Sequence, residues 1–329
     1  MSEAEREKLE AQIQAKVGEP MGPPQQAPDE VNLPMIRHWV DALDDRNPIY
    51  LDAEHAAATR HKTLVAPPAM LQTWTMGRPR IEGIAERGGS SGEIDPANPI
   101  QVLARAGYTG TVATNSDLVF DRYLVPGDFL TAHAVLETIS ERKATPLGFG
   151  YFVTWVNTWS DRKGDTVGSQ SFRVLKFDPG SAAEAAAAIA PREKKPRAEP
   201  TGEELPEFVL DVTSTVIVAG AIASRDFMPV HHDAEFARSQ GAPDMFMNIL
   251  TTNGYVARYV TDWAGPEAVL QTMEIRLGAP AVPGKPLRFT GQVASERTEG
   301  GERQLQVALK AQNDFGPHAT GTVSLTLPA

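Results

Sequence analysis

Cysteine is absent from the 329 residues. That absence excludes a disulfide framework, a thiolate zinc site and a cysteine nucleophile. The spacing Gly-x-Ser-x-Gly occurs in Gly88-Gly89-Ser90-Ser91-Gly92, a stretch read as a surface loop rather than a strand-to-helix elbow, so covalent chemistry of the hydrolase type has no strong motif to sit on. No apolar run approaches the ~20 residues that a membrane-spanning helix needs. The opening Met1-Ser2-Glu3-Ala4-Glu5-Arg6-Glu7-Lys8 is too charged for a secretory leader. Positive charge is also short: 31 Lys and Arg against 42 Asp and Glu give a net charge of -11. Such a balance argues against a phosphate-backbone partner such as DNA. The expectation is a cytoplasmic protein with neither a nucleic-acid nor a membrane partner. At 41% hydrophobic and 22% charged, the chain is long enough for two ordinary globular domains.

What is present centres on Ser224-Arg225-Asp226-Phe227-Met228-Pro229-Val230-His231-His232-Asp233. The apolar run Val216–Ala223 before it reads as a buried helix. Pro229 disfavours helix at the residue before it. The helix is therefore expected to stop near Asp226, the chain to turn, and His231 to come back towards the carboxylate. A second helix is expected from about Asp233 to Ser239, with Asp233 as its N-cap. An imidazole titrates near neutrality, and a carboxylate beside it can orient it or help activate a water. Spacing alone leaves two readings open. One is acid–base work on a bound water. The other is that Asp226 caps a turn and His231 is an ordinary helix-start residue.

Asp226-Phe227-Met228-Pro229-Val230-His231 resembles the Asp-x-Asn-Pro-(Ile/Leu/Val)-His signature of MaoC-like, (R)-specific enoyl-CoA hydratases, also called hydratase 2. The segments Gln240–Tyr255 and Thr261–Pro266 resemble the small subunit of the actinobacterial steroid side-chain enoyl-CoA hydratase. Val31–Trp39 is similar to the hotdog part of its larger subunit, so the chain looks like a fusion of the two. The departure from the signature is Met228, which stands where the family has Asn. The resemblance implies an α+β fold of two tandem hotdog domains, each a long helix wrapped by a curved antiparallel sheet. Together they would form an intrachain double hotdog.

The motif has an earlier copy in Asp44-Asp45-Arg46-Asn47-Pro48-Ile49-Tyr50. Asp45 matches Asp226, Pro48 matches Pro229, and Tyr50 stands in place of His231. A tyrosine with a pKa of about 10 is a poor base at neutral pH. The first half is thus expected to keep the fold without the chemistry. Arg60–Leu71 parallels the stretch from Gln240 to Leu250. Val125-Pro126-Gly127 parallels Val282-Pro283-Gly284. The distance from Asp45 to Gly127 is 82 residues and from Asp226 to Gly284 is 58, so the first copy carries 24 more. They fall in 77–108, read as a surface loop or lid rich in Gly88-Gly89-Ser90-Ser91-Gly92.

The expected organisation is a helical arm over 1–28, with Leu9, Ile13 and Val17 on one side. A non-catalytic hotdog of the FAS1-like, MaoC N-type follows over 29–178, beginning with a helix from Pro34 to Leu43. A linker spans 179–206, with an alanine run and a charged Pro191–Arg197. The catalytic hotdog covers 207–329. Strands are expected around Phe129–Val135, Tyr151–Val156, Gln170–Phe177, Leu287–Val293, Gln304–Gln312 and Thr320–Leu327 from their alternation.

The resemblance implies that Asp226 and His231 hold a water over the β-carbon of an enoyl thioester. The amide of Asn248 would stand where the family uses a Gly amide for the thioester oxygen. Substrate or CoA contacts are sought at His61, Tyr50, Arg258, Arg276 and Lys285. No metal is expected: His232 and Asp233 are adjacent, and neighbouring side chains seldom converge on one ion. No cofactor is expected either, since CoA is part of the substrate. The implied substrate is a steroid 17-ene carboxyl-CoA, hydrated to a 17-hydroxy product that passes to an aldolase. The expected assembly is a homodimer of double hotdogs. Alternatives are a hydratase or dehydratase for fatty enoyl-CoA, a thioesterase, or a non-catalytic acyl-CoA-binding partner.

Overall fold

The computed structural model describes residues 2–87, 95–189 and 202–329. The Gly88–Gly92 run and the Pro191–Arg197 charges lie outside the described residues.

Helix α1 (Glu3–Gln14) starts at Ser2, which forms a reciprocal capping box with Glu5. Leu9 and Ile13 are buried. Tyr151 Oη donates to Glu10 Oε1 at 2.8 Å, and Gln14 Nε2 donates to the Ile139 carbonyl at 2.8 Å. The arm is thereby laid on the chain's own front sheet. The helix stops at Gln14, so Val17 lies beyond it and is exposed. Strand β1 (Gln25–Gln26) follows.

Helix α2 (Leu33–Leu43) is capped by Asn32, with a proline in its first turn where a missing N–H costs nothing. It buries Ile36, Trp39, Val40 and Leu43. Two short helices come next, α3 (Pro48–Leu51) and α4 (Ala53–Ala58). Two 3-10 turns (Pro68–Met70 and Gln72–Thr75) lead to α5 (Pro99–Arg105), inside the insertion. The front strands are β2 (Gly110–Phe120), β3 (Thr131–Ile139), β4 (Lys143–Thr145), β5 (Gly148–Ser160) and β6 (Thr166–Phe177). The alanine run forms α6 (Ala182–Ala188), with Ala185 buried, so this part of the expected linker is an ordered helix.

The rear half repeats the plan. Strand β7 (Glu204–Leu210) precedes α7 (Ser214–Ala223), capped by Thr213. A 3-10 turn (Pro229–His231) leads to α8 (Ala234–Ser239), capped by Asp233 as expected. Helix α9 (Ile249–Ala264) is the long central helix, with twelve buried residues. Strands β8 (Val269–Leu277), β9 (Leu287–Glu299), β10 (Glu302–Asn313) and β11 (Gly316–Pro328) close the chain. In the front half the place of α9 is taken by the two 3-10 turns, the first opening on Pro67-Pro68.

The strands form one antiparallel sheet in the order β1-β3-β5-β6-β2-β8-β11-β10-β9-β7, with β4 paired to β5. The halves meet where β2 pairs β8, from Asn115 opposite Arg276 to Val119 opposite Thr272. Helix α9 packs against β8, β11 and β7, and α2 and α7 pack against α9 and against each other. A Cβ on Gly254 would lie 2.3 Å from Leu43 Cδ2 and 2.9 Å from Trp39 Cζ2. A Cβ on Gly220 would lie 2.4 Å from Thr251 Oγ1 and 2.5 Å from Thr251 Cγ2. Missing side chains thus let α9 touch both α2 and α7. Among the described residues no helix is long and apolar enough to cross a membrane.

Gly220→Ala is expected to destabilise the protein by about 1–3 kcal/mol, because the β-branched Thr251 is buried and has no room to retreat. Thermal or urea unfolding measures it; unchanged stability would show that α7 and α9 are not in this contact.

Candidate active site

Helix α7 ends at Ala223, and Arg225 turns into the left-handed region with φ 60°. That turn brings the Asp226 amide back to the Ala221 carbonyl at 2.9 Å. Asp226 Oδ1 then accepts the Met228 amide at 3.2 Å, an Asx turn that leaves Oδ2 pointing inwards. Pro229 opens the next turn, and His231 closes it. His231 Nε2 lies 3.4 Å from Asp226 Oδ2. The acid and the imidazole do meet across the proline.

The ring is held from its other side. His231 Nδ1 is 2.7 Å from the Phe246 carbonyl. A carbonyl only accepts, so Nδ1 carries the proton and Nε2 is the nitrogen left for chemistry. The Phe246 ring packs edge-on against the imidazole with centroids 5.1 Å apart. The side chains of His231 and Asp226 are 9% and 18% exposed.

Burial alone would raise the Asp226 pKa and lower that of His231. The attraction between the two, and hydrogen bonds from His231, Asn248 and the Met228 amide, outweigh it. Asp226 therefore lies below the usual carboxylate range and His231 above the usual imidazole range. Both shifts favour the charged forms: a carboxylate able to take a proton beside an imidazole that holds its second proton more readily than usual.

A third residue joins the pair. The Asn248 side chain donates from Nδ2 to Asp226 Oδ2 at 3.0 Å and to Ser224 Oγ at 2.8 Å. The sequence pointed to the backbone of Asn248 and missed its side chain. The missed signal was the capping pattern: an Asn directly before an apolar helical run. The amides of Asn248, Ile249 and Leu250 have no acceptor among the described residues, as the first turn of a helix leaves them. They point the positive end of α9 into the site.

The front copy matches the rear one bond for bond. The Asp45 amide donates to Val40 as Asp226 does to Ala221; Tyr50 to Asn47 as His231 to Met228; Val65 to Ile49 as Phe246 to Val230. Ala66 donates to Leu124 as Met247 does to Ala281. Every donor pair is separated by the same 181 residues. Asp44 is left-handed with φ 50°, as Arg225 is. On this register Pro67 holds the place of Asn248 and Pro68 that of Ile249. Proline has no N–H. The front copy has thus lost two anion-binding amides as well as the imidazole. Tyr50 is 2% exposed and, chiefly through burial, its phenol is held well above its ordinary pKa. It is a neutral side chain there, not a base.

The remaining candidates lie elsewhere. His61 stacks on Tyr123 with ring centroids 5.1 Å apart, beside the front copy. Burial and then Arg60 hold it neutral, with its pKa lowered, and its Nε2 has no partner. Arg258 donates to the Leu43 carbonyl at 2.6 Å, pairs with Asp262 at 3.2 Å and lies over the Phe208 ring. Its guanidinium ties the rear helix to the end of α2. Lys285 sits on a turn, paired with Asp314 at 2.9 Å. Arg276 is an exposed strand residue at the β2–β8 seam. Asp233 Oδ1 caps α8. Grooves of about 450 Å³ beside Ser295–Arg297 and 540 Å³ beside Arg122 and Asp161 include neither Asp226 nor His231.

A family model described as FAS1-like, dehydratase domain region, matches residues 15–170. The chain is 42% identical over 171 residues to the alpha subunit of the 3-oxo-4,17-pregnadiene-20-carboxyl-CoA hydratase of Mycobacterium tuberculosis, covering 52% of each. It is 43% identical over 126 residues to the beta subunit of that hydratase, covering 38% of this chain and 95% of the subunit. The chain spans about half the length of the curated alpha subunits it matches. A solved MaoC-like dehydratase superposes with a TM-score of 0.70 at 21% identity, over 96% of this chain and 99% of that one.

Asp45 has no imidazole or Asn beside it, and burial pushes its carboxyl up to about 6 from 3.8. A raised folded pKa favours the folded state while the acid is protonated. This contribution is whole below about pH 4 and lost as pH rises through 6. Asp45→Asn keeps an acceptor for the Asn47 amide and removes the charge. It is expected to raise stability at pH 8 by on the order of 1–2 kcal/mol, with the gain fading towards pH 4. Urea unfolding at the two pH values measures it; a variant less stable at pH 8 would refute it.

Proposed function

The chain belongs to the FAS1-like dehydratase, MaoC-like hotdog family, and from that premise we propose that it is an enoyl-CoA hydratase. Water adds across the α,β double bond of an enoyl thioester. The observation that carries the reading is the Asp226–His231 pair, largely shielded from solvent, with Nδ1 locked on a carbonyl and Nε2 turned to the acid. Asp226 takes a proton from the water as its oxygen bonds to the β-carbon. The double-bond electrons move towards the thioester, whose oxygen gains negative charge. The free amides at the start of α9, Asn248 first, stabilise that charge. His231 returns a proton from Nε2 to the α-carbon on the same face. The hydrated thioester leaves, and the proton taken by Asp226 restores the imidazolium.

The likeness to both subunits of one hydratase supports the finer reading. On the resemblance of Val31–Trp39 to the larger subunit and of Gln240–Tyr255 to the smaller, the front half stands for the alpha subunit and the rear half for the beta subunit, joined in one polypeptide. On that reading the substrate is a steroid 17-ene carboxyl-CoA and the product a tertiary 17-hydroxy compound, handed to an aldolase. CoA enters as part of the substrate, and no further cofactor takes part in the steps above. The assembly proposed is a homodimer of the double hotdog, which light scattering measures directly.

Asp226→Asn and His231→Ala are each expected to lower the hydration rate by about 10²–10⁴-fold, while Tyr50→Phe changes it little. Steroidal 17-ene carboxyl-CoA is expected to outpace crotonyl-CoA, with no free thiol released. Because His231 must start protonated and its pKa is raised, kcat/KM is expected to hold through pH 6.5 and fall only above it. Near-wild-type hydration in either site variant would end the proposal.

A further inference from the structure

Asn248 is 3% exposed, and all its side-chain bonds are assigned by their partners. Oδ1 accepts the Thr251 amide at 2.8 Å and caps α9. A backbone N–H only donates, so Oδ1 must face it, and the NH₂ group must face the other way. There Nδ2 meets Ser224 Oγ at 2.8 Å and Asp226 Oδ2 at 3.0 Å. Ser224 is fully buried, and its own hydroxyl donates to the Ala221 carbonyl at 3.2 Å. Its oxygen therefore accepts from Asn248. The chain of donors runs one way, from helix α9 into the end of helix α7.

The oxygen that receives Asn248 is the one that faces His231 Nε2. With Oδ1 held by the Met228 amide and Oδ2 by Asn248, the carboxylate cannot rotate. The remaining lone pair of Oδ2 is aimed at the imidazole and at whatever lies between them. Met228 makes no capping bond with its side chain. In the front copy Asn47 does cap its turn, accepting the Ile49 amide at 3.3 Å, but Pro67 stands where Asn248 would be. The molecule thus holds the same Asx turn twice, once with the side-chain amide and the imidazole and once with neither.

We propose that Asn248 is a positioning residue of the hydration reaction: its side-chain amide orients the Asp226 carboxylate towards the imidazole and the attacking water. This rests on the hydratase reading above. A carboxylate with two donors and a facing imidazolium stays ionised; the front Asp45, with one donor, does not hold its charge as firmly. His231 is the titratable group acting on Asp226. The Arg225 guanidinium lies across the seam, against Met35 Sδ at 4.0 Å and the Gly77 carbonyl at 3.4 Å.

The test compares Asn248→Ser and Asn248→Asp in the full chain, using the enoyl-CoA that the wild type hydrates. Both residues are good helix N-caps, so α9 keeps its start. Asn248→Ser is expected to lower kcat about 10–100-fold with KM nearly unchanged. The acid limb of its kcat/KM profile moves up by about one pH unit as Asp226 loses its donor. Asn248→Asp replaces the donor by a second carboxylate, which must share a proton with Asp226 at such distance. Its loss is larger, with the acid limb displaced further. A folded Asn248→Ser or Asn248→Asp protein with wild-type kcat and an unmoved acid limb overturns the inference. Asp226→Asn separates the two levels: full activity in that variant removes the hydratase reading itself, whereas its loss beside an unmoved Asn248→Ser profile removes only the role of Asn248.

Discussion

A carboxylate buried at the end of an apolar helix is the constraint from which the rest of the site follows. Taking a bare carboxylate out of water costs several kcal/mol unless donors or a cation compensate it. Asp226 sits in such a place because α7 carries no charge over Ser214–Ala223 and a left-handed Arg225 folds the next residue inwards. The compensation comes from three points along the chain. The Met228 amide is local. His231 comes round a proline. Asn248 arrives at the start of another helix. Each of these is fixed by something else: Pro229 by its ring, His231 by the Phe246 carbonyl, Asn248 by its cap on α9. The acid is thus ionised and stationary at once, as a proton acceptor for a bound water needs to be.

The front half shows what happens when that compensation is removed and the scaffold is kept. Asp45 makes the same backbone turn, yet its carboxyl is pushed up to about 6. Tyr50 fills the imidazole's volume without its basicity. Pro67 and Pro68 remove two amides where an anion would bind. Three differences at matching positions separate this half from the rear one. Its retention has a plain physical reason. Trp39 and Leu43 pack into the gap at Gly254, Arg258 reaches the Leu43 carbonyl, and β2 supplies the edge that β8 pairs with. Without the front half, the buried faces of α9 and β8 would meet water.

Much of this was legible in the sequence, and the limits are instructive. The two motif copies, their prolines and the Pro-Gly turns are local signals, so the repeat and the meeting of Asp226 with His231 could be read from spacing. The excess of 24 residues in the first copy also matches the structure, where the shared register holds through Ala66 and resumes by Leu124. Matching Leu71 to Leu250, however, is two residues out, because a proline-led turn and a helix share no side-chain pattern. Strand β8 escaped notice for another reason. Its buried residues, Leu270, Met273 and Ile275, change spacing where the ladder to β11 shifts register at Ser324–Leu325. A bulge breaks alternation, and alternation was the signal. Arg258 looked available because a sequence does not show the carbonyl at the end of a different helix. Asn248 was noticed for its amide, since only tertiary packing brings its side chain to Asp226.

The asymmetry of the two halves bears on how a substrate reaches the pair. Only the front half carries the insertion over 77–108, and its first residue, Gly77, gives its carbonyl to Arg225. Arg225 is the left-handed residue whose turn places Asp226, and its Nε has no partner. The insertion is therefore in contact with the side chain of the residue whose turn places the acid. Asn98, at the start of α5, donates to the Met21 carbonyl at 2.9 Å and so holds the far end of the insertion against the N-terminal arm. In the hydratase proposed here, the half that lost its chemistry supplies the segment lying against the turn that kept it.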